Sequence, residues 1–187
     1  GSTVPKVTLD LGPYGISGSV SDALLKINSG TALTIVGTAE TSKIENTNTS
    51  NDAIDAISND GTLTINGVTV RGSNGISNDG TLNITDTSVE ATNSYGDGIC
   101  NNGSLTMSSS SVMGNEVGIY NEGSLTLTSG NVKGYQYAIS NTIYATACSI
   151  GDVTLVAYTG IYIRKDVTFT AWPTFSGTST HIQLDEG

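Results

Sequence analysis

Short runs of alternating apolar and polar residues follow one another along most of the chain, separated by turns rich in Asn, Asp and Gly. In one such run, Leu63 and Ile65 alternate with Thr62 and Thr64. An apolar period of two residues predicts a strand with one buried face, and no stretch shows the period of about 3.6 residues that marks a helix. The pattern therefore predicts many short strands and no helix.

The runs belong to a repeat with the pattern Gly-Ile-x-Asn-[Asp/Asn/Glu]-Gly-[Ser/Thr]-Leu-[Thr/Asn]. Its copies start at residues 56, 75, 98, 118, 138 and 160, and a degenerate copy begins near residue 27. A unit of about 20 residues cannot enclose a core alone, but stacked units can. We therefore predict an all-β fold, a single-stranded right-handed parallel β-helix (solenoid) of about seven rungs with end caps. Each strand would pair with its equivalents in the rungs above and below.

Alignment of the copies predicts which side chains stack inside the coil. The first inward column is expected to contain Ile57, Ile76, Ile99, Ile119, Ile139 and Ile161. The second is expected to contain Leu63, Leu82, Leu105, Leu125, Ala145 and Val167. The third is expected to contain Ile65, Ile84, Met107, Leu127, Ala147 and Phe169. A fourth column, predicted to form a ladder of hydrogen-bonded amides, contains Asn59, Asn78, Asn101, Asn121 and Asn141.

The chain outside the repeat is expected to cover the ends of the coil, because an open end exposes strand edges. We predict an N-terminal cap or edge segment over residues 1–22, β-helix repeats over 23–170 and a C-terminal cap over 171–187. Trp172, Pro173 and Phe175 are expected to cover the last rung.

The repeated unit resembles those of right-handed parallel β-helices, a class that pectate-lyase-like proteins share with passenger and adhesin domains of bacterial surface proteins. The resemblance covers about residues 23–170. It implies a bacterial module that is secreted or displayed on the cell surface as part of a larger surface protein, with a glycan or a host surface protein as partner. Because this fold carries lyases, hydrolases, adhesins and stalks alike, the resemblance leaves the activity open.

Charge and composition narrow the choice of partner. The 187-residue chain has a formal net charge of −10 and only 7 Lys and Arg residues, so we expect no nucleic-acid binding. It contains no apolar run of about 18 residues, so we expect no membrane insertion. Its two cysteines, Cys100 and Cys148, fall on different rungs and faces and are expected to be free thiols.

Candidate catalytic residues are few. By resemblance, a lyase of this class would need clustered carboxylates for calcium and an Arg or Lys base, and a hydrolase would need paired Asp residues near a His. The single histidine, His181, falls in the predicted C-terminal cap. Asp60, Asp79 and Glu122 share a turn position that would suit calcium, although Asp is also common in Asn-Asp-Gly turns. We expect no catalysis, with a polysaccharide lyase or hydrolase as the alternative.

Two outward features suit ligand binding. The first is tyrosine, whose ring packs on sugars or proteins while its hydroxyl stays in water, unless the rings only fill strand surfaces. The best candidates are Tyr120, Tyr135, Tyr137 and Tyr162, and Tyr95 shares a column with Tyr135. The second is a Thr/Ser array, including Thr64 and Thr126, that is similar to the T-x-T face of ice-binding β-solenoids. We expect an adhesin or structural stalk, with ice binding as a further alternative.

Overall fold

The computed structural model describes residues 6–38, 41–48, 54–177 and 179–185, which form strands and turns and no helix. The strands wind into a parallel β-solenoid of about eight turns, which confirms the predicted all-β fold. Each turn contributes to three faces, which we call faces A, B and C. Strands of successive turns pair in parallel on every face. The right-handed sense of the coil stays a prediction.

The three faces are built from equivalent strands of successive turns. Face A consists of β1 (Lys6–Asp10), β4 (Ala32–Val36), β7 (Thr62–Asn66), β10 (Thr81–Thr85), β13 (Ser104–Ser108), the first halves of β16 (Ser124–Lys133) and β18 (Ala147–Val156), and β20 (Thr168–Phe169). Face B consists of β2 (Gly15–Gly18), β5 (Lys43–Asn46), β8 (Thr69–Gly72), β11 (Ser88–Ala91), β14 (Ser110–Met113), the second halves of β16 and β18, and β21 (Thr174–Ser176). Face C consists of β3 (Leu25–Ile27), β6 (Asp55–Asn59), β9 (Asn74–Asn78), β12 (Ile99–Asn101), β15 (Val117–Asn121), β17 (Tyr137–Asn141), β19 (Thr159–Ile163) and β22 (Thr180–Leu184). Because β16 and β18 continue around one corner, faces A and B form a single sheet.

Side chains of the same kind stack along the inside of each face. On face C the predicted isoleucine column is confirmed, and Leu25 and Ile182 extend it at its two ends. From Ile57 to Ile161 these side chains are fully buried. Burying one such side chain contributes about 1.5–3 kcal/mol relative to exposure, so the columns supply most of the favourable free energy of folding.

The predicted register is wrong on face A in the seventh turn. Cys148 and Ile150 continue the two leucine-rich columns, and Ala145 and Ala147 do not. Cys148 and Ile150 are buried, whereas Ala147 is exposed on the outside of β18. The turn after Asn141 is three residues longer than in the preceding copies, and the sequence alignment did not include this insertion. The core therefore has no layer of small residues here.

Strand pairing extends beyond the predicted repeat at both ends. Residues 6–18 contain β1 and β2, which pair with β4 and β5 as a first turn. At the other end, β21 and β22 lie within residues 171–185 and pair with β18 and β19. Trp172 is 69% exposed, and its ring centroid lies 5.2 Å from that of Phe169. Both end segments thus contribute solenoid strands.

The predicted asparagine ladder is confirmed at the corner between faces C and A. All five asparagines are fully buried, and the Nδ2 of each of the first four donates to the Oδ1 of the asparagine in the next turn at 2.7 or 2.8 Å. The last, Asn141, donates to Lys165 O at 3.0 Å. Asn101 Nδ2 also donates to Ser124 O at 3.0 Å. The ladder starts at Asn59, whose buried Oδ1 has no hydrogen-bond partner because Ile27 occupies the equivalent position one turn earlier.

Replacing one amide inside the ladder should destabilise the whole coil. We expect Asn101→Ala to lower the free energy of unfolding by about 2–4 kcal/mol, since it removes two ladder hydrogen bonds and the bond to Ser124 O, and leaves Asn121 Oδ1 buried without its donor. Urea denaturation followed by circular dichroism measures this. Asn102→Ala, in the exposed next position, is the matched control and should shift the midpoint little. Equal midpoints for the two variants would contradict a stabilising ladder.

Candidate functional site

A groove of about 1150 Å³ runs along the corner between faces B and C, from the fourth turn to the eighth. Tyr95, Tyr135 and Tyr158 line it, and the first two are 81% and 82% exposed. The backbone N–H of Tyr158 donates to Tyr135 O at 3.0 Å, which places these residues in adjacent turns. Asn115 occupies the turn between Tyr95 and Tyr135. Because successive turns are about 4.8 Å apart, Tyr95 and Tyr135 lie about 10 Å apart along the axis.

Tight backbone at this corner makes the lining residues project outwards. A Cβ atom on Gly114 or Gly134 would lie 1.7 or 1.9 Å from a backbone oxygen, so the chain can bend this closely only at glycine. Asn115 and Tyr135, which follow these two glycines, therefore lie at the edge of the groove. Asn115 differs from the tyrosines because its Nδ2 donates to Ala91 O at 3.1 Å and to Asn93 O at 2.8 Å. Its side chain is held against the preceding turn. A shallow depression, which we call the saddle, therefore separates the rings of Tyr95 and Tyr135.

The two walls of the groove differ in chemistry. On face B, Met113, Lys133 and Val156 stand side by side on successive strands and form an apolar wall with one amine. On face C the lining side chains are Glu116 and Gln136, and the amide of Gln136 donates to a neighbouring tyrosine hydroxyl at 3.2 Å. Among the described residues that line the groove, Glu116 and Lys133 are the charged ones.

The four tyrosines predicted to bind a ligand fall on two surfaces. Tyr135 lines the groove, whereas Tyr120, Tyr137 and Tyr162 lie on the outside of face C. Tyr120 and Tyr162 share a column, with Ser140 between them. The rings of Tyr137 and Tyr162 stack with centroids 4.9 Å apart, and the hydroxyls of Tyr120 and Tyr162 each donate to a carboxylate. The face-C tyrosines therefore contact one another and their neighbours.

The sequence predicts Tyr95 and Tyr135 in one column, and it does not predict that Tyr158 lies in the same line. Tyr158 follows the insertion in the seventh turn, so alignment of the repeat could not place it beside Tyr135. The sequence signal that marks the groove is a tyrosine next to a glycine in a turn, as in Tyr95-Gly96 and Gly134-Tyr135.

The residues predicted to hold calcium occupy one line along the axis. Asp60 and Asp79 fall in successive turns, and Asn102 stands between Asp79 and Glu122. Asn102 Nδ2 donates to Asp79 Oδ1 at 2.8 Å, and Glu122 Oε1 accepts a hydrogen bond from Tyr120 at 3.1 Å. Within the described part of the chain, no group of three or more His, Cys, Asp or Glu side chains is arranged to hold a metal ion. A calcium site here stays a prediction.

Face A presents a straight column of hydroxyl side chains, broken at Asn83. The column contains Thr8, Thr34, Thr64, Asn83, Thr106, Thr126, Ser149 and Thr168. A second column beside it contains Thr62, Thr81, Ser104 and Ser124. The single histidine, His181, lies elsewhere, at the C-terminal end, where its ring stacks on Phe175 with centroids 4.7 Å apart.

Both cysteines are free thiols with suppressed acidity. Burial raises the pKa of Cys148 to about 12. Burial also raises the pKa of Cys100, and the carboxylate of Asp97, which accepts a hydrogen bond from Cys100 Sγ at 3.5 Å, raises this pKa further. Since the thiolate is the reactive form, neither side chain is a good nucleophile at neutral pH.

Thiol labelling tests these raised pKa values. In the native protein at about pH 8, we expect Cys100 and Cys148 to react much more slowly with a disulfide reagent than in urea, where their pKa values return to the ordinary range of about 8.5. The single variants Cys100→Ser and Cys148→Ser assign any reaction to one residue. Rapid native labelling of Cys100, which is partly exposed, would contradict the prediction.

Comparisons with protein-family models, curated proteins and solved structures find no match to this chain. No helix in the described residues is long and apolar enough to cross a membrane. The fold assignment therefore rests on strand pairing and register, and the resemblance to pectate-lyase-like and adhesin domains stays a prediction.

Proposed function

We propose that this chain is a non-catalytic module of a secreted or cell-surface bacterial protein, in which the solenoid acts as an adhesin or structural stalk. The observation that carries the proposal is the groove lined by Tyr95, Tyr135 and Tyr158. Exposed aromatic rings grouped along one line mark an interaction surface in a soluble protein. The partner is a glycan or a protein on a host surface.

The rigidity of the coil supports an adhesive role. The asparagine ladder and the buried columns fix the backbone on both sides of the groove. A binding surface that is already ordered loses little conformational entropy when it meets its ligand. A stack of equivalent turns also holds its binding surface at a fixed distance from the rest of a larger protein.

The chemistry of the groove favours binding over catalysis. Hydrolysis of a glycosidic bond commonly uses two carboxyl groups on either side of that bond. The groove offers one carboxylate, Glu116, and one amine, Lys133. This set of charged groups supports a non-catalytic function. The lyase or hydrolase alternative is tested by incubating the protein with polyuronates and calcium. Unsaturated products would indicate a lyase, and new reducing ends without unsaturation would indicate a hydrolase.

Removal of one exposed ring should separate adhesion from a purely structural role. We expect Tyr135→Ala to weaken binding to a glycan array, or to surfaces coated with host mucin and matrix proteins, by about tenfold or more. Tyr14→Ala is the matched control, because Tyr14 is 75% exposed but does not line the groove. Unchanged binding in Tyr135→Ala, or an equal loss in both variants, would contradict an adhesive groove.

Ice binding is a second candidate function, because the hydroxyl column on face A is nearly continuous along the axis. If ice is the ligand, the protein shows thermal hysteresis, and Thr64→Tyr and Thr126→Tyr abolish it by disrupting the flat array. Tyr135→Ala should leave thermal hysteresis unchanged, since Tyr135 lies at the corner between faces B and C and not on face A. A sample without hysteresis would exclude this candidate.

A further inference from the structure

We infer that the groove binds a basic, proline-rich peptide in the polyproline II conformation, lying along the solenoid axis. The inference rests on the adhesin function proposed above and names the class of its partner. It follows from the spacing of the tyrosine rings, from the occupied hydrogen-bonding groups around them and from the charge at the rim.

The spacing of the tyrosine rings matches the repeat of a polyproline II helix. Tyr95 and Tyr135 are two turns apart, which corresponds to about 10 Å along the axis. A polyproline II helix has three residues per turn and rises about 3.1 Å per residue, so it repeats after about 9 Å. The same side of such a helix therefore meets both rings. A fully extended β-strand peptide, which repeats after two residues and about 7 Å, does not match this spacing.

The space between the tyrosine rings has the shape that a proline ring requires. Asn115 is held against the preceding turn by two hydrogen bonds, so its side chain does not fill the space between Tyr95 and Tyr135. Pyrrolidine rings fit between aromatic ridges of this kind, which is how aromatic-lined grooves accept proline-rich segments. Met113 and Val156 supply the apolar wall that a proline ring packs against.

The hydrogen-bonding groups along the groove favour a peptide over a glycan. A sugar presents many hydroxyls that need partners, whereas Asn115 Nδ2 already donates to two backbone oxygens and Gln136 Nε2 donates to Tyr137, so few amide donors remain for a sugar. A polyproline II peptide requires less, because its backbone carbonyl oxygens accept hydrogen bonds from donors such as the hydroxyls of exposed tyrosines. The available groups therefore fit the peptide better than the glycan.

The charge of the face-C wall and of the whole chain favours a basic peptide. Glu116 lines the face-C wall, and the carboxyl group of Asp97 lies close enough to interact with it electrostatically. The whole chain carries a formal charge of −10. A peptide with Arg or Lys beside its prolines pairs with Glu116 and is attracted by the overall charge, whereas a Glu-flanked peptide is attracted by Lys133 but repelled by the overall charge. Lys133, on the opposite wall, repels a basic residue of the peptide, so that residue is expected to lie on the Glu116 side.

Fluorescence anisotropy with labelled peptides tests the inference. The probes are a run of about six prolines flanked by Arg on each side, the same run flanked by Glu, and an Arg-flanked Gly-Ser peptide of equal length. Six residues suffice because Tyr95 to Tyr158 spans three turns, or about 14 Å, and polyproline II rises about 3.1 Å per residue. We expect the Arg-flanked proline peptide to bind most tightly and to weaken as salt is added.

Variants locate the binding site. Tyr95→Ala and Tyr135→Ala should each weaken the proline peptide about tenfold or more, and Tyr14→Ala should not. Glu116→Gln should remove most of the preference for Arg over Glu flanks and leave the preference for proline over Gly-Ser intact. Asn115→Tyr fills the saddle and should also weaken binding, whereas tighter binding in this variant would overturn the proposed seating of the prolines.

The outcomes distinguish this inference from the proposed function. Failure of the proline peptide to bind, or binding that is unchanged by Tyr135→Ala, overturns the inference. If a glycan binds instead and is lost in Tyr135→Ala, the adhesin function holds and the partner class is wrong. If proline peptides, glycans and host-surface proteins all fail to bind, the inference and the adhesin function are both overturned, and the structural stalk stands. Circular dichroism melts confirm that each variant is folded, and the Tyr135→Ala and Tyr14→Ala pair decides the question even if Asn115→Tyr does not fold.

Discussion

The pairing of each strand with its equivalent in the next turn is the interaction on which every other feature of this molecule depends. Parallel pairing keeps residues of the same kind directly above one another, so an isoleucine meets isoleucines and an asparagine meets asparagines. A slip of one residue would turn each core side chain outwards, which makes the register strongly specified. The buried amide ladder adds to this because an unpaired amide in the interior is costly. The orphaned Oδ1 of Asn59 shows where that stacking begins.

The same register also organises the outer surface into lines parallel to the axis. The hydroxyl column, the Asp60–Asp79 line and the tyrosine groove are all products of equivalent positions in successive turns. On face B, Glu45, Arg71 and Glu90 stack with alternating charge and form ion pairs at 3.4 and 3.0 Å. A surface built this way suits an extended ligand, because its contacts recur at a fixed spacing of about one strand separation.

Departures from the repeat create the features that distinguish one place on the rod from another. The insertion after Asn141 brings Cys148 into the core and displaces the two alanines that the alignment had placed there. Asn115 interrupts the line of tyrosines, and its two hydrogen bonds to the preceding turn keep the space beside Tyr135 open. Irregularity in a solenoid is confined to turns and corners, since a change within a strand would disturb the pairing on both sides.

The strands, the repeat, the isoleucine column and the amide ladder could all be predicted from the order of residues along the chain. These depend on alternation within a strand and on recurrence of the same residue at a nearly constant spacing, and both are visible in one dimension. The assignment of residues 6–18 to a first turn required the folded structure, since β1 and β2 lack the repeat motif and are identified by their partners. The folded structure also shows that Tyr158 stands next to Tyr135 while Tyr137 faces another surface. Neighbours around a corner depend on the length of each turn and the bend at each glycine, and these quantities are set by the packed coil.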